Sequence, residues 1–225
     1  MNKAQLIDAI VAKTEMSKKD ADAALTATIE AITEALKEGD RIKVYVVEVR
    51  KSTRGPQVLI SRTHPGLVKR LFELEVPEIQ SGIVQIKSIA REAGSRTKMA
   101  VYSSDPMIDP VGSCVGPRGQ RVDRVVTELR GEKIDIIKWS ADPAEFVANA
   151  LNPAHVVSVF VNEKEKACRV VVPDNQLSLA IGKEGQNARL AARLTGWKID
   201  IKSQSQIDEQ MLAEEVEADS SEELI

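Results

Sequence analysis

The chain repeats one design, and each copy is centred on a short bend flanked by glycines. The first copy spans residues 111–137 and bends at Gly116-Pro117-Arg118-Gly119; the second spans 176–201 and bends at Gly182-Lys183-Glu184-Gly185. An amphipathic run follows each bend. In the first copy Val122, Val125, Val126 and Leu129 share one face, with Arg121 and Arg124 on another. In the second, Ala188, Ala191 and Leu194 oppose Arg189 and Arg193. This spacing is that of a helix. A glycine then ends each run (Gly131, Gly196), and Ile-Asp-Ile follows (134–136, 199–201) with the alternation of a half-buried strand. Gly182 follows Gly116 by 66 residues and Gly196 follows Gly131 by 65, which marks tandem copies of one folded module.

Two glycines let the backbone turn sharply with positive φ and leave no Cβ over the bend. The second helix starts at the bend, so its unpaired N–H groups and positive dipole end face outward there. Such a surface suits a chain of phosphates. In KH domains a Gly-x-x-Gly turn of this kind clamps about four nucleotides of single-stranded backbone. One such turn alone reads more readily as a plain helix connector. Two copies with matching sequels favour the functional reading.

At these residues the chain resembles the NusA family of bacterial transcription factors, specifically its RNA-binding tandem of KH domains. The stretches VGSCVGPRGQRV, KIDIIKW, DPAEFVANAL, KACRVVVPD and LAIGKEGQNARLAARLTGWKIDIK carry the resemblance, which covers about 41–202. It implies RNA binding during transcription elongation, termination or antitermination. It also implies single-stranded nascent RNA as ligand, RNA polymerase and other transcription factors as partners, and a cytoplasmic setting. In that family a polymerase-binding domain and most of an oligonucleotide-binding barrel precede the KH pair, and neither has a counterpart in these residues.

A second resemblance covers residues 1–40, MNKAQLIDAIVAKTEMSKKDADAALTATIEAITEALKEGD, which is similar to the start of the HU family of bacterial DNA-architectural proteins. It implies two helices forming a homodimer core. The long arms that enter the DNA minor groove in that family have no equivalent after Asp40. A first helix is expected over 3–13, with Asn2 and Gln5 as a capping box. A second, capped by Ser17 with Asp20, carries Leu25, Ile29, Ile32 and Leu36 and ends at Gly39. Residues 42–50 and 57–62 read as a β-hairpin, expected to pack on the helical head. The fold class is therefore α+β: an HU-like two-helix head (1–40), a short β-hairpin (41–64), two tandem type II KH domains (65–140 and 141–203) and an acidic disordered tail (204–225).

The formal net charge of −3 does not by itself suggest a nucleic-acid binder, but the tail holds eight acidic residues and no Lys or Arg. Without the tail the body carries about +5, a balance compatible with RNA. Aromatics are few, two Trp, two Tyr and three Phe, which argues against base-stacking platforms. Trp139 and Trp197 read as packing residues. Cys114 and Cys168 form no Cys-x-x-Cys pair and read as small core hydrophobes in a reducing compartment. No signal peptide or membrane-length apolar run is present in the sequence. His64 and His155 have no neighbours at metal-ligand spacing, and neither Gly-x-x-x-x-Gly-Lys-Ser/Thr nor Gly-x-Ser-x-Gly occurs. No catalytic set, metal or cofactor is implied.

The candidate RNA-binding residues are Gly116, Pro117, Arg118, Gly119, Gln120, Arg121 and Arg124 in the first copy. In the second they are Gly182, Lys183, Glu184, Gly185, Gln186 and Arg189. Arg118, Arg121 and Lys183 stand in or next to the bends and are the first choice for phosphates. Gln120 and Gln186 follow the bends at equal places, within reach of base edges. Glu184 weakens the charge of the second bend, which then relies on its backbone N–H groups. The competing function is a DNA-architectural dimer of HU type carrying appended nucleic-acid-binding modules.

Overall fold

The computed structural model describes residues 4, 7, 8, 11, 12, 17–35, 42–52 and 55–208, which fall into two compact units, Met1–Ile42 and Lys43–Ile225. Most of the helix expected over 3–13 and its capping box lie outside the described residues. So do the side chains of Ile29 and Ile32, together with Leu36 and Gly39. In the first unit α1 runs Lys18–Ala35. Ser17 starts it as expected: the Asp20 N–H donates to Ser17 Oγ at 3.2 Å, and Ser17 Oγ donates to the Asp20 carboxylate at 2.6 Å. Ala21 and Leu25 are buried with Ile7, and Val11 packs against them.

The second unit opens with an antiparallel hairpin, β1 (Tyr45–Ser52) and β2 (Gly55–Ser61). The sequence places this hairpin on the helical head; in the structure it groups instead with the modules that follow. Its base is tied to them. The Tyr45 ring stacks on His64 at 4.6 Å, and a Cβ on Gly66 would lie 2.6 Å from that ring, so glycine leaves room for it. Arg62 bonds Glu128 through both its carboxylate and its carbonyl.

The first module contains α2 (Pro65–Glu75), a short α3 (Pro77–Gln80), β3 (Val84–Glu92), β4 (Arg96–Ser103), α4 (Pro110–Val115), α5 (Gln120–Glu128) and β5 (Lys133–Lys138). The second contains α6 (Pro143–Ala150), β6 (Ser158–Asn162), β7 (Ala167–Val172), α7 (Leu177–Ile181), α8 (Gln186–Thr195) and β8 (Lys198–Ser203). Both build a three-stranded sheet, β3-β4-β5 and β6-β7-β8, with an antiparallel pair followed by a parallel one. Apart from the short α3 of the first module, the α-β-β-α-α-β order is the same in both copies. Asp-Pro pairs start α4 and α6: Asp109 accepts from the N–H groups of Val111 and Gly112, and Asp142 from Ala144 and Glu145. The chain after β8, expected to be disordered from 204, continues as a helical turn to Asp208, with Ser205 bonded to Asp174; residues 209–225 lie outside the described residues.

One face of the first sheet covers its own helices, burying Val84, Met99 and Val101 against Leu67, Val68, Leu71, Phe72, Cys114 and Val125. The other face is covered as well. Ala90, Ala100 and Ile137 belong to the core of the second module, together with Phe146, Val147, Leu151, Val170, Leu190 and Leu194. Trp139 and Trp197 pack at its margin, as expected of them. Strand β4 is thus buried on both faces, and even Lys98 is inaccessible to solvent. Its ammonium donates to Asp135 at 3.1 Å and to the Asn152 carbonyl of the second module at 2.7 Å. Burial lowers its pKa, and Asp135 opposes that shift.

A second buried charge closes the turn between β3 and β4. Glu132 accepts both a two-pronged contact from Arg91 (2.8 and 2.9 Å) and bonds from Thr97 Oγ1 (2.6 Å) and the Gly94 N–H (2.9 Å). Burial pushes its carboxyl up, but these four donors hold it below the usual range. Truncating it strands Arg91, whose side chain is 3% exposed. Glu132→Ala should therefore cost about 3–5 kcal/mol, measured as the loss in urea unfolding free energy of the Lys43–Ile225 unit.

Candidate nucleic-acid interface

The two glycine-flanked turns have the same backbone conformation. Gly116 and Gly182 take φ/ψ of 74/174° and 76/171°, a region reserved for glycine. Arg118 and Glu184 lie in the left-handed region at 53/26° and 52/29°. Gly119 and Gly185 follow at 76/7° and 73/14° and lead directly into α5 and α8. A Cβ on Gly119 or Gly185 would meet no atom within 4 Å, so main chain stands open to a ligand at both places.

The first glycine of each turn faces inward instead. A Cβ on Gly116 would lie 2.6 Å from Arg121 Cγ, and one on Gly182 would lie 2.8 Å from the Asn187 nitrogen. Arg121 and Asn187 hold the same place, five residues after that glycine, and do the same work with different chemistry. Arg121 donates to the Ser113 carbonyl at 2.7 Å and to Glu78 at 2.9 Å. Buried Asn187 donates to the carbonyls of Ala180 at 3.0 Å and Leu151 at 2.9 Å. Each latches the second helix back onto the helix before the turn. Arg121, expected to neutralise phosphate, is therefore first of all part of the turn's framework. Asn187 was not singled out from sequence, because a single Asn on a helix gives no sign of being buried.

The other expected cations divide. Arg118 and Lys183 are exposed and make no ion pair with a described residue. Arg124 reaches Glu75 at 3.2 Å. Arg189 is committed to the first module, its Nε donating to Glu92 at 2.7 Å, with a further bond to the Glu184 carbonyl. Gln186 Nε2 donates to Glu92 and to Ser95 Oγ, both at 2.8 Å, whereas its counterpart Gln120 is exposed. Hydrogen bonds from Arg189 and Gln186, with the charges of Arg189 and Arg193, hold the Glu92 carboxyl at about 2. Pro117 is exposed at the crest of the first turn.

Two clefts lie where the modules meet, and the second of them reaches the Gly182 turn. One of about 330 Å³ lies between the modules, walled by Val111, Ile136 and Lys138 of the first and by Ala148, Asn149 and Asn152 of the second. Another, of about 360 Å³, brings Arg96 and Lys133 of the first module beside Gly182 and Lys183 of the second. Cys114 is buried away from both clefts; burial and neighbouring Glu78 push its thiol up to about 12, so it is inert. Among the described residues no group of three or more His, Cys, Asp or Glu is placed to hold a metal, and no helix is long and apolar enough to cross a membrane.

Residues 62–139 match the family model described as NusA-like first KH domain, and residues 143–209 match that of the NusA-like second KH domain. Residues 1–51 match a model described as bacterial DNA-binding protein, a match that continues into β1. The transcription termination/antitermination protein NusA of Bacillus subtilis is 68% identical over 172 residues, covering 76% of this chain and 46% of that protein. The protein of the same name from Halalkalibacterium halodurans is 64% identical over 182 residues, covering 81% of this chain and 48% of its own. That from Thermus thermophilus is 50% identical over 193 residues, covering 84% and 50%. The chain spans about half the length of the curated relatives it matches.

The two glycines of a turn should respond differently to substitution. Gly185→Ala meets open space and should lose about 1–2 kcal/mol through its left-handed φ alone. Gly182→Ala adds overlap with the Asn187 backbone and should lose distinctly more, as read by chemical unfolding of the two variants.

Proposed function

We propose, from the premise that this chain belongs through residues 62–209 to the NusA family of tandem KH domains, that it binds single-stranded RNA along both glycine turns. It thereby acts in transcription elongation, termination or antitermination by holding nascent RNA near RNA polymerase. The observation that carries this is the repeated turn. Two identical backbone conformations, each with open space over its closing glycine and the start of a helix behind it, lie on one compact unit. Phosphates approach the bare main chain, and Arg118 and Lys183 supply mobile countercharge. Bases enter the cleft between the modules, where Lys138 and Asn149 offer polar groups beside apolar Val111 and Ile136.

Holding RNA in this way requires no catalysis, so the protein is a binding factor that works in the cytoplasm beside polymerase and other transcription factors. Through its HU-like head, residues 1–40 with a family match to 51, it pairs with a second copy and presents two KH tandems. The HU-type DNA-architectural function is the second reading. It is favoured by that N-terminal match alone.

The test is RNA binding by the wild type and by a variant with Arg118→Asp and Lys183→Asp, scanned over salt. The variant should bind more weakly, and its log–log salt slope should be shallower by about 0.7 for each phosphate it no longer neutralises. Single-stranded RNA should outcompete duplex DNA for the wild type. Equal affinity of the two proteins, or preference for the duplex, would overturn the proposal.

A further inference from the structure

We infer that Glu92 is a positioning residue that fixes the second glycine turn against the first module, so that removing this negative charge weakens RNA binding instead of strengthening it. The inference rests on the RNA-binding reading above and goes beyond it. Ordinary electrostatics predicts the reverse, because a carboxylate close to an RNA-binding turn repels phosphate and occupies two arginines that are otherwise available.

Glu92 is the last residue of β3 in the first module, yet the partners of its carboxylate all belong to α8 of the second. Arg189 Nε donates to Oε1 at 2.7 Å, Gln186 Nε2 donates to Oε2 at 2.8 Å, and Arg193 stands 3.7 Å from Oε1. Positions 186, 189 and 193 share one face of the helix. Gln186 also bonds Ser95 Oγ, on the turn that follows β3. Both oxygens of one carboxylate are thus used to hold the first two turns of α8, and Gln186 is joined directly to Gly185. Any slide or rotation of α8 at this point moves the turn.

The remaining attachments of α8 to the first sheet do not define such a position. They run through apolar groups, Ala90 and Ala100 sharing a core with Leu190, Ala191 and Leu194. Apolar contact of this kind is non-directional and tolerates small shifts. The hydrogen-bonded carboxylate is directional. A strand of RNA that occupies both turns gains from their fixed separation, because the second turn is engaged at a high effective concentration. A strand short enough to occupy one turn gains nothing from it. RNA length therefore separates positioning from charge.

The experiment compares the wild-type chain with Glu92→Gln, which removes the charge, and Glu92→Asp, which keeps the charge but withdraws its oxygens. Binding is measured for mixed-sequence single-stranded RNA of about 4 nucleotides, the span of one turn, and of about 12 nucleotides. Linked sites gain about 10²–10⁴ in avidity, and partial loss of registry should show as a roughly tenfold weakening for the longer RNA in both variants. The shorter RNA should bind Glu92→Asp unchanged and Glu92→Gln unchanged or tighter. Amide exchange without RNA should quicken over 186–190 in both variants and stay unchanged in β6 and β7. Unchanged or tighter binding of the longer RNA by either variant overturns the inference, as does an equal loss at both lengths. If the wild type binds neither RNA, the functional reading fails instead. The exchange rates then decide the role of Glu92 alone, and unchanged rates over 186–190 reject it.

Discussion

The second module is built on the back of the first. A three-stranded sheet with helices on one side normally leaves its other face to water. Here that face carries Ala90, Ala100 and Ile137, two of them small, and the second module's α6 and α8 close over it. Small side chains let the layers approach closely, and the apolar surface is removed from water on both sides of β4. A buried lysine in such a strand is costly unless its protons find acceptors. Lys98 meets that condition only because Asp135 stands in the next strand and the Asn152 carbonyl is delivered by the second module. The two modules are consequently docked face to face through one shared core.

Within each module the turn is held from behind. Arg118 and Glu184 sit at positive φ without being glycine, a conformation costing about 1–2 kcal/mol. Strain of this size persists when the surroundings determine the backbone more strongly than the residue's own preference. The latches provide that determination: Arg121 onto Ser113 in one copy, Asn187 onto Ala180 and Leu151 in the other. A ligand meeting such a turn finds its backbone already fixed, in part by the Gly119 and Gly185 N–H bonds to Gly116 and Gly182, and loses little to ordering it. The inward first glycine and the outward second one divide the labour. The former admits the latch, and the latter leaves main chain uncovered.

These local features were legible in the sequence because their causes are local. Glycine spacing and the 3.6-residue period of α5 and α8 act within a few residues, and the structure places these helices and the strands after them close to where they were expected. The partners of the charged side chains were not legible. Arg189 and Glu92 are 97 residues apart, Arg91 and Glu132 41, Arg121 and Glu78 43. A surface arginine and a paired one look alike in a sequence, so nothing there shows the bonds that Arg121 and Arg189 make to Glu78 and Glu92. Equivalence between Arg121 and Asn187 was hidden because two unlike side chains serve one geometric need. The attachment of the hairpin through Tyr45 and Gly66 escaped for a related reason: its cause is a ring finding space where a Cβ is missing.

The repeat is also less symmetric than its sequence, and the difference follows from what covers each sheet. Ile-Asp-Ile occurs in both copies, with its Asp on the outer face of the last strand. In the first module that face is interior, and Asp135 is pinned between Arg96 and Lys98. In the second it is solvent, and Asp200 stands 3.7 Å from Arg169 with both side chains 57% exposed. The same three residues thus serve as an internal charge partner in one place and as an ordinary surface pair in the other, worth little in water. The turns differ in the same way. Arg118 puts its charge at the left-handed position of the first, whereas in the second that position is Glu184 and the cation has moved one residue back to Lys183. Identical backbones therefore present different fields, a positive charge at the left-handed position of the first turn and a negative one at that of the second.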